Sequence, residues 1–383
     1  MALPLAATVS RLLGHGPLLR DASAARNVRV FASLLGPAFR GLIQRRGHGE
    51  DSTDLQPGGS TYFDWSYRRE HPEMSRLYEA AKSSQWNGTT DLDWSREVDM
   101  FSRRKLLPDE FIPTSGLAVW RKLGPKEKAT QRHAMLSWLL SQFLHGEQGA
   151  LFAAAQITEA VPWLDAKLLG STQVADEARH VEVFHRYLTQ KLERVYEIND
   201  NLYVIVDAVM SDSRWDVKFL GMQIMIEGLA LGSFGTLRHM TREPLLQEML
   251  KYVITDEARH VHYGVLALRE FLATEISERE RRDREDWAFE LALLLRNRFL
   301  AHEIYEEYYA HAMSRAEWNR RMYASGLMTL FRRTMFKRIV PNLKRIGLLS
   351  PRIRPRYEAL GLLQFENEKA APELRIRYLL AAG

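Results

Sequence analysis

Cysteine is absent from all 383 residues. Disulfides, thiolate zinc sites, iron–sulfur clusters and a cysteine nucleophile go with it, so any metal must be held by His, Asp or Glu. No run of eighteen uninterrupted apolar residues occurs, and no transmembrane helix is read from the chain. The N-terminus lacks the charged start and single apolar block of a secretory signal. Acids are scarce in two stretches. Residues 1–47 carry Arg11, Arg20, Arg26, Arg29, Arg40, Arg45 and Arg46 against Asp21 alone, and residues 319–357 hold eleven Lys or Arg and no acid. Strand-like alternation is scarce throughout, as are glycine and proline breaks between 126 and 311.

What is present suits a large helical protein. Apolar residues make up 46% and charged residues 26%, enough for a sizeable core under a soluble surface. The length fits one large domain with additions, or two domains. The basic N-terminus reads as an amphipathic helix or an organellar transit peptide. The expected location is cytoplasmic in the first case and organellar in the second. Residues 48–62, rich in Gly, Ser and acids, read as a linker. A helix is expected over 73–83, followed by the turn-like WNGTTDLDW. From 126 to 311 apolar residues recur at spacings of three and four, the helical period. The expected division is an extension and linker over 1–60, an accessory segment over 61–125, a four-helix bundle over 126–312 and a basic helical segment over 313–383. The fold class is all-α.

One repeat organises the bundle. DEARHV stands at 176–181 and again at 256–261, and at the same offset of 80 residues Glu147 answers to Glu227. Each half is a Glu followed thirty residues later by Glu-Ala-Arg-His. The midpoints fall at Pro162 and at Arg242, beside Thr241 and Pro244. Thr-x-x-Pro is a helix-start signal, with Thr as the cap. Each half therefore reads as two antiparallel helices whose carboxylates come level, roughly 22 Å from the turn at ~1.5 Å per residue. The gap from His180 to Glu227 leaves room for a crossover and a short helix near 203–210.

A Glu and a His three apart share one helix face. Two such pairs, Glu177 with His180 and Glu257 with His260, join Glu147 and Glu227 in facing one axis. Four buried carboxylates would not stay ionised together without cations, and two divalent ions neutralise them. Hard oxygen and borderline nitrogen donors suit iron, with manganese–iron as the alternative pair. Asp176 and Asp256 are expected to accept the other ring N–H of the His in the opposite motif. Arg179 and Arg259 are expected on the outside of their helices, pairing with acids or with the aspartates that back the histidines. Surface decoration, the plain alternative, would not need the same spacing twice, nor Glu147 and Glu227 inside the apolar runs SQFLHGEQGALFAAA and MQIMIEGLALGSFG.

On these residues, over about 126–312, the chain resembles the ferritin-like diiron-carboxylate superfamily, in particular its large branch. That branch includes the ribonucleotide reductase small subunit, bacterial multicomponent monooxygenase hydroxylases and arylamine N-oxygenases. The resemblance implies a ferritin-like four-helix bundle with a crossover connection, and a centre that reacts with O₂. It assigns Glu147, Glu177 and His180 to one metal and Glu227, Glu257 and His260 to the other, with Glu177 and Glu257 as bridges. Phe184 stands where the reductase subunit has its radical-forming Tyr, Leu231 where the hydroxylases have Thr, and Val253 where the N-oxygenases have a third His. No subfamily pattern is complete.

Small residues beside the ligands point either to close helix packing or to a substrate cavity lined by Ala150, Leu151, Ala154, Phe184, Gly228, Leu231 and Gly264. The expected activity is an O₂-dependent oxidase or oxygenase acting on a small apolar or aromatic molecule, with electrons from a reductase or ferredoxin. The rivals are a radical-generating or metal-storing relative without organic turnover, and a helical scaffold with a degenerate site. The basic segment suits an ordinary helix with its cations in water, or a surface for an acidic protein or a membrane. A homodimer is left open, and no nucleic-acid module is recognised.

Overall fold

Prolines and the residues beside them set where the long helices begin and stop. The computed structural model describes residues 27–49, 52–101 and 106–381, a few side chains excepted. In chain order the helices are α1 (Val28–Ala38), α2 (Pro72–Ser83), α3 (Ala118–Lys122), α4 (Pro125–Ala160), α5 (Leu164–Gln190) and α6 (Asp200–Ser211). α7 (Trp215–Met240) and α8 (Pro244–Thr274) complete the bundle. α9 (Glu278–Arg298), α10 (His302–Tyr308), α11 (Arg315–Ala324), α12 (Gly326–Arg345), α13 (Arg354–Ala359) and α14 (Ile376–Ala381) follow. No strand occurs among the described residues.

α4 opens with Pro125 in its first turn, while the Glu127 carboxylate accepts from the Gly124 N–H at 2.7 Å. Its 36 residues span about 54 Å. It stops where Pro162 forces Val161 into extended backbone, with ψ 137°. α5 then returns antiparallel along it. The second hairpin differs from expectation in one detail. Glu243, not Thr241, caps α8: its carboxylate accepts from Leu245 N at 2.8 Å and Leu246 N at 2.6 Å. A carboxylate reaches two free amides and suits the positive end of the helix better than a hydroxyl does. Thr241 instead accepts from Glu243 N and donates to the Leu106 carbonyl.

α4, α5, α7 and α8 form the bundle, and α6 is the short helix of the crossover, packed on α4. This is the ferritin-like arrangement of two hairpins joined by a crossover. α7 is long and apolar enough to cross a membrane, although Lys218, Gln223 and Glu227 interrupt its apolar run, and 94% of its apolar window lies inside the protein. Its middle, Leu220–Glu227, is wound as a π-helix. Gly221 makes room there, since a Cβ would come 2.4 Å from Val209 and 2.7 Å from Trp287.

The remaining elements share the bundle's core. α1 packs on α6 and α9, and Arg40 in the π turn that follows it grips the buried Asp207 with two bonds of 2.6 and 2.7 Å. Residues 1–26, with Arg11, Arg20, Arg26 and Asp21, lie outside the described residues. The stretch expected as a linker is fastened: Gly58 N donates to Met210 O and Tyr62 N to Glu159 O, at 3.4 and 2.8 Å. α12 buries Met328, Met335, Phe336, Ile339, Val340 and Leu343, and it packs against α7. That placement is the ordinary-helix reading of the basic segment; the side chains of Leu327, Phe331 and Arg332 lie outside the described set.

The glycines test this packing. A Cβ on Gly232 would stand 2.5 Å from the Thr334 backbone oxygen, whereas one on Gly228 would meet nothing closer than 3.7 Å. Gly232→Ala should therefore force α7 and α12 apart and destabilise by about 1–3 kcal/mol. Gly228→Ala should be neutral or stabilise by up to about 1 kcal/mol through helix propensity. Urea midpoints at unchanged slope measure both, and equal midpoints would show that the α7–α12 contact is looser than described.

Candidate metal centre

Glu147 on α4, Glu177 and His180 on α5, Glu227 at the end of the π segment of α7, and Glu257 and His260 on α8 all point into the bundle and are buried. Two overlapping groups of donor atoms result: Glu147, Glu177, His180 and Glu257, and Glu177, Glu227, Glu257 and His260, each with its donors within 4.8 Å of one another. Glu177 and Glu257 belong to both groups, the position of bridging carboxylates. His180 Nδ1 stands 3.3, 3.4 and 3.2 Å from oxygens of Glu147, Glu177 and Glu257. His260 Nδ1 stands 3.0 Å from Glu177 and 3.9 and 3.7 Å from Glu227 and Glu257.

The donor set fits two metal ions on an observation independent of its spacing. Glu177 Oε2, Glu227 Oε2, both oxygens of Glu257 and His260 Nδ1 are buried without a hydrogen-bond partner. Such atoms are costly unless something binds them. Like charges about 4.8 Å apart repel by roughly 3–4 kcal/mol per pair at an effective dielectric constant near 20. Burial, then the charge of neighbouring carboxylates, accordingly holds Glu147 and Glu227 well above the usual carboxylate range. Burial opposes protonation of His180 and His260, but the surrounding carboxylates outweigh it and raise both. Glu177 goes the other way: burial is overcome by the two imidazolium rings, and it stays ionised. Without metal, protons occupy the places that cations would take.

A second layer orients the rings. His180 Nε2 lies 3.2 Å from Asp256 Oδ2, and His260 Nε2 lies 3.2 Å from Asp176 Oδ2, each Asp belonging to the opposite motif. Donation of Nε2–H to the Asp leaves Nδ1 facing the carboxylates, the tautomer that a metal needs. Arg179 and Arg259 do not point outwards. Both are nearly buried, and they lie across the two aspartates: Arg179 pairs with Asp176 and, at 3.4 Å, with Asp256; Arg259 pairs with Asp256 and, at 3.2 Å, with Asp176. Two buried anions attract the nearest cations, and the core offers no solvent to compete.

Several contributors carry no motif. Trp86 Nε1 donates to Asp256 Oδ2 at 2.8 Å, its ring stacks on Tyr252 with centroids 4.8 Å apart, and Arg179 lies over it. Gln85 donates to Asp176 at 3.2 Å and accepts from Arg179 at 2.8 Å. Gln173 donates to Glu177 at 3.2 Å and to Glu227 at 2.9 Å, and Gln223 donates to Gln173 at 3.1 Å. A signal for the glutamines was available: each stands four residues before a motif Glu, one turn away. For Gln85 and Trp86, where the helix expected over 73–83 gives way to the segment read as a turn, none was.

Among the described residues, the positions weighed as a cavity lining are mostly filled by packing. A space of about 10 Å³, the room one water needs, adjoins Glu147, Glu227 and Glu257. Of the seven expected lining residues it touches Ala150 alone. Phe184 is stacked on Phe234 and tilted against Phe143, and Gly264 is pressed on Gln223, where a Cβ would meet Gln223 Cβ at 2.6 Å. Ala154 and Gly228 are packed elsewhere in the core, Leu151 is half-buried, and Leu231 borders a separate space of about 310 Å³ between α7 and α12. Close helix packing accounts for most of these small residues. Tyr187 donates to Glu243 at 2.8 Å and Tyr263 to the Ala166 carbonyl at 2.7 Å.

No family model matches the chain, and no curated protein matches it. Among solved structures it is similar to the R2-like ligand-binding oxidase with aerobically reconstituted metal cofactor after photoconversion, with a TM-score of 0.48 and 21% identity over 73% of this chain and 94% of that one. A point mutant of that oxidase with an anaerobically reconstituted Mn/Fe cofactor matches with a TM-score of 0.46 and 21% identity, over 75% and 96% of the two chains. By its own bundle, crossover and donor set, the protein has a ferritin-like fold with a site built for two metal ions.

Glu177→Ala removes a donor shared by both groups and should lower bound metal from two ions per chain to one or none, read by metal analysis. Asp256→Asn keeps the shape but weakens the orientation of His180, and should cost about 10–100-fold in metal affinity. Wild-type metal content and affinity in both would reject these roles. Proton linkage has a definite sign. Glu147, Glu227, His180 and His260 are all raised, so each holds its proton to higher pH than usual and metal binding competes with those protons. Anaerobic Mn²⁺ loading should release protons to an indicator dye, and affinity should fall as pH is lowered. Proton-neutral loading would contradict the charge assignment.

Proposed function

We propose that the protein is an O₂-dependent oxidase or oxygenase with a dinuclear metal centre, iron–iron or manganese–iron, that oxidises a small organic substrate. The observation that carries this reading is the pair of buried donor groups sharing Glu177 and Glu257, with orphaned oxygens aimed at one another. Glu147, Glu177, His180 and Glu257 would hold one ion, and Glu177, Glu227, Glu257 and His260 the other. When bound, the pair supplies O₂ reduction and substrate oxidation at positions that the protein leaves open.

The chain's own residues prepare that chemistry. Asp176 and Asp256 keep Nε2–H on each imidazole and so turn Nδ1 inwards. Gln173 holds Glu177 and Glu227 by one oxygen each, which leaves the second oxygen of each free to bind. The apolar packing of Phe143, Phe184 and Phe234 excludes bulk water from the ligand layer. Electrons beyond those taken from the substrate would come from a reductase or ferredoxin.

Fe²⁺ loaded anaerobically should bind at two per chain, and admission of O₂ should give a transient visible absorption band. Two bound irons with no optical change would defeat the proposal. A persistent protein radical would favour the radical-generating rival, and uptake far beyond two irons the storage rival.

A further inference from the structure

The space of about 310 Å³ between α7 and α12 is lined by none of the six metal-facing residues. Small-molecule pockets run from roughly 300 to 1,000 Å³, so it is large enough for a compact ligand. Leu231 and Gly235 on α7, Leu330 on α12 and Leu379 on α14 give it an apolar floor. The other wall is cationic. Arg333, Lys337 and Arg338 stand at i, i+4 and i+5 on α12 and all three line the space, while no acid among the described residues does.

These cations are poorly compensated. Lys337 shares its charge with Glu368 at 3.4 Å. Arg333 is exposed and Arg338 partly buried, and the side chain of neither has a hydrogen-bond or ion-pair partner among the described residues. Burial lowers the pKa of Arg338 and the field of Glu368 opposes that; a guanidinium stays cationic at neutral pH all the same. Three cations less one acid leave two positive charges around one small space. Like charges four apart on a helix destabilise it, and a cation drawn partly out of water needs a counter-ion. A carboxylate would offset half of the excess. A phosphate monoester carries about −1.5 to −2 at neutral pH and offers three acceptor oxygens, which arginine forks grip two at a time.

We infer that this space binds the phosphate monoester of a small apolar or aromatic alcohol, its phosphate among Arg333, Lys337 and Arg338 and its organic part against Leu231 and Leu379. The site is separate from the metal centre and does not depend on the two-metal reading.

Titration calorimetry of the full chain tests this with phenyl phosphate, at about pH 7.5 where the probe is a dianion. One phenyl phosphate should bind per chain. Benzenesulfonate, a monoanion of similar shape, should bind about tenfold more weakly, and inorganic phosphate, which lacks the apolar part, a few-fold more weakly. Arg338→Gln should weaken phenyl phosphate about ten- to a hundredfold, the loss of a charge-assisted pair. Glu368→Gln, which frees Lys337, should tighten it a few-fold. Arg345→Gln, exposed on the same helix but away from the space, and Glu177→Ala, at the metal centre, should leave it unchanged. Unchanged affinity in Arg338→Gln overturns the inference. Equal loss in Arg345→Gln also overturns it, by reducing the site to a diffuse basic face, and loss in Glu177→Ala does so by placing the phosphate on the metals. Phenyl phosphate bound no tighter than benzenesulfonate or inorganic phosphate overturns it as well. So does attachment of the chain to phosphatidic acid vesicles without uptake of phenyl phosphate, which marks a membrane face. If Arg338→Gln does not fold, Arg333→Gln, at an exposed position, takes its place with the same expected direction and the same overturning result.

Discussion

Mutual repulsion among carboxylates buried in an apolar bundle governs the rest of this protein. Glu147, Glu177, Glu227 and Glu257 are buried in two overlapping groups whose donors lie within 4.8 Å of one another, where water cannot screen them. In the absence of metal, two are pushed toward the neutral acid and two imidazoles are drawn to the cationic form. Such a cluster persists only if the surrounding fold is stable enough to hold it. The long α4–α5 and α7–α8 hairpins and the single apolar core running from Val30 to Leu379 provide that support.

Around this centre charge is arranged in shells that alternate in sign. The imidazoles sit between the glutamates and the aspartates. The aspartates sit between the imidazoles and Arg179 and Arg259, and Trp86 and Gln85 close the outside. Each shell restrains the one within it, so the ring nitrogens face the carboxylates before any metal arrives. The two hairpins are tied together here, because every Asp–His and Arg–Asp contact that crosses the bundle joins α5 to α8.

The symmetry of the repeat is broken on the α7 side. The π-wound stretch ends at Glu227, and it brings Gln223 toward Gln173. π segments inside α-helices gather at functional sites because the extra residue re-aims side chains that a regular helix would place elsewhere. Beside that stretch lies the small space that adjoins Glu147, Glu227 and Glu257, so the irregular helix and the water-sized space fall on one side of the centre.

The all-α class, the duplicated hairpin and the six facing donors could be read from the chain because they depend on local rules. Helical spacing, a proline-marked turn and a repeat of fixed offset act within a few residues and survive without tertiary context. The short crossover helix and the helix before Ser83 were legible for the same reason. Only the tertiary structure decided the rest. Whether Ala154, Phe184 and Gly264 border a cavity or fill a contact depends on what the opposite helix brings, and Gln223 and Phe234 fill those places. The inward turn of Arg179 and Arg259 follows from two buried aspartates meeting across the bundle, which no single helix face reveals. Trp86 and Gln85 come from a segment distant in sequence with no spacing to the motif, and their place was set by packing. Short-range backbone preferences are written in the order of residues; charge compensation and close packing are properties of surfaces that meet only after folding.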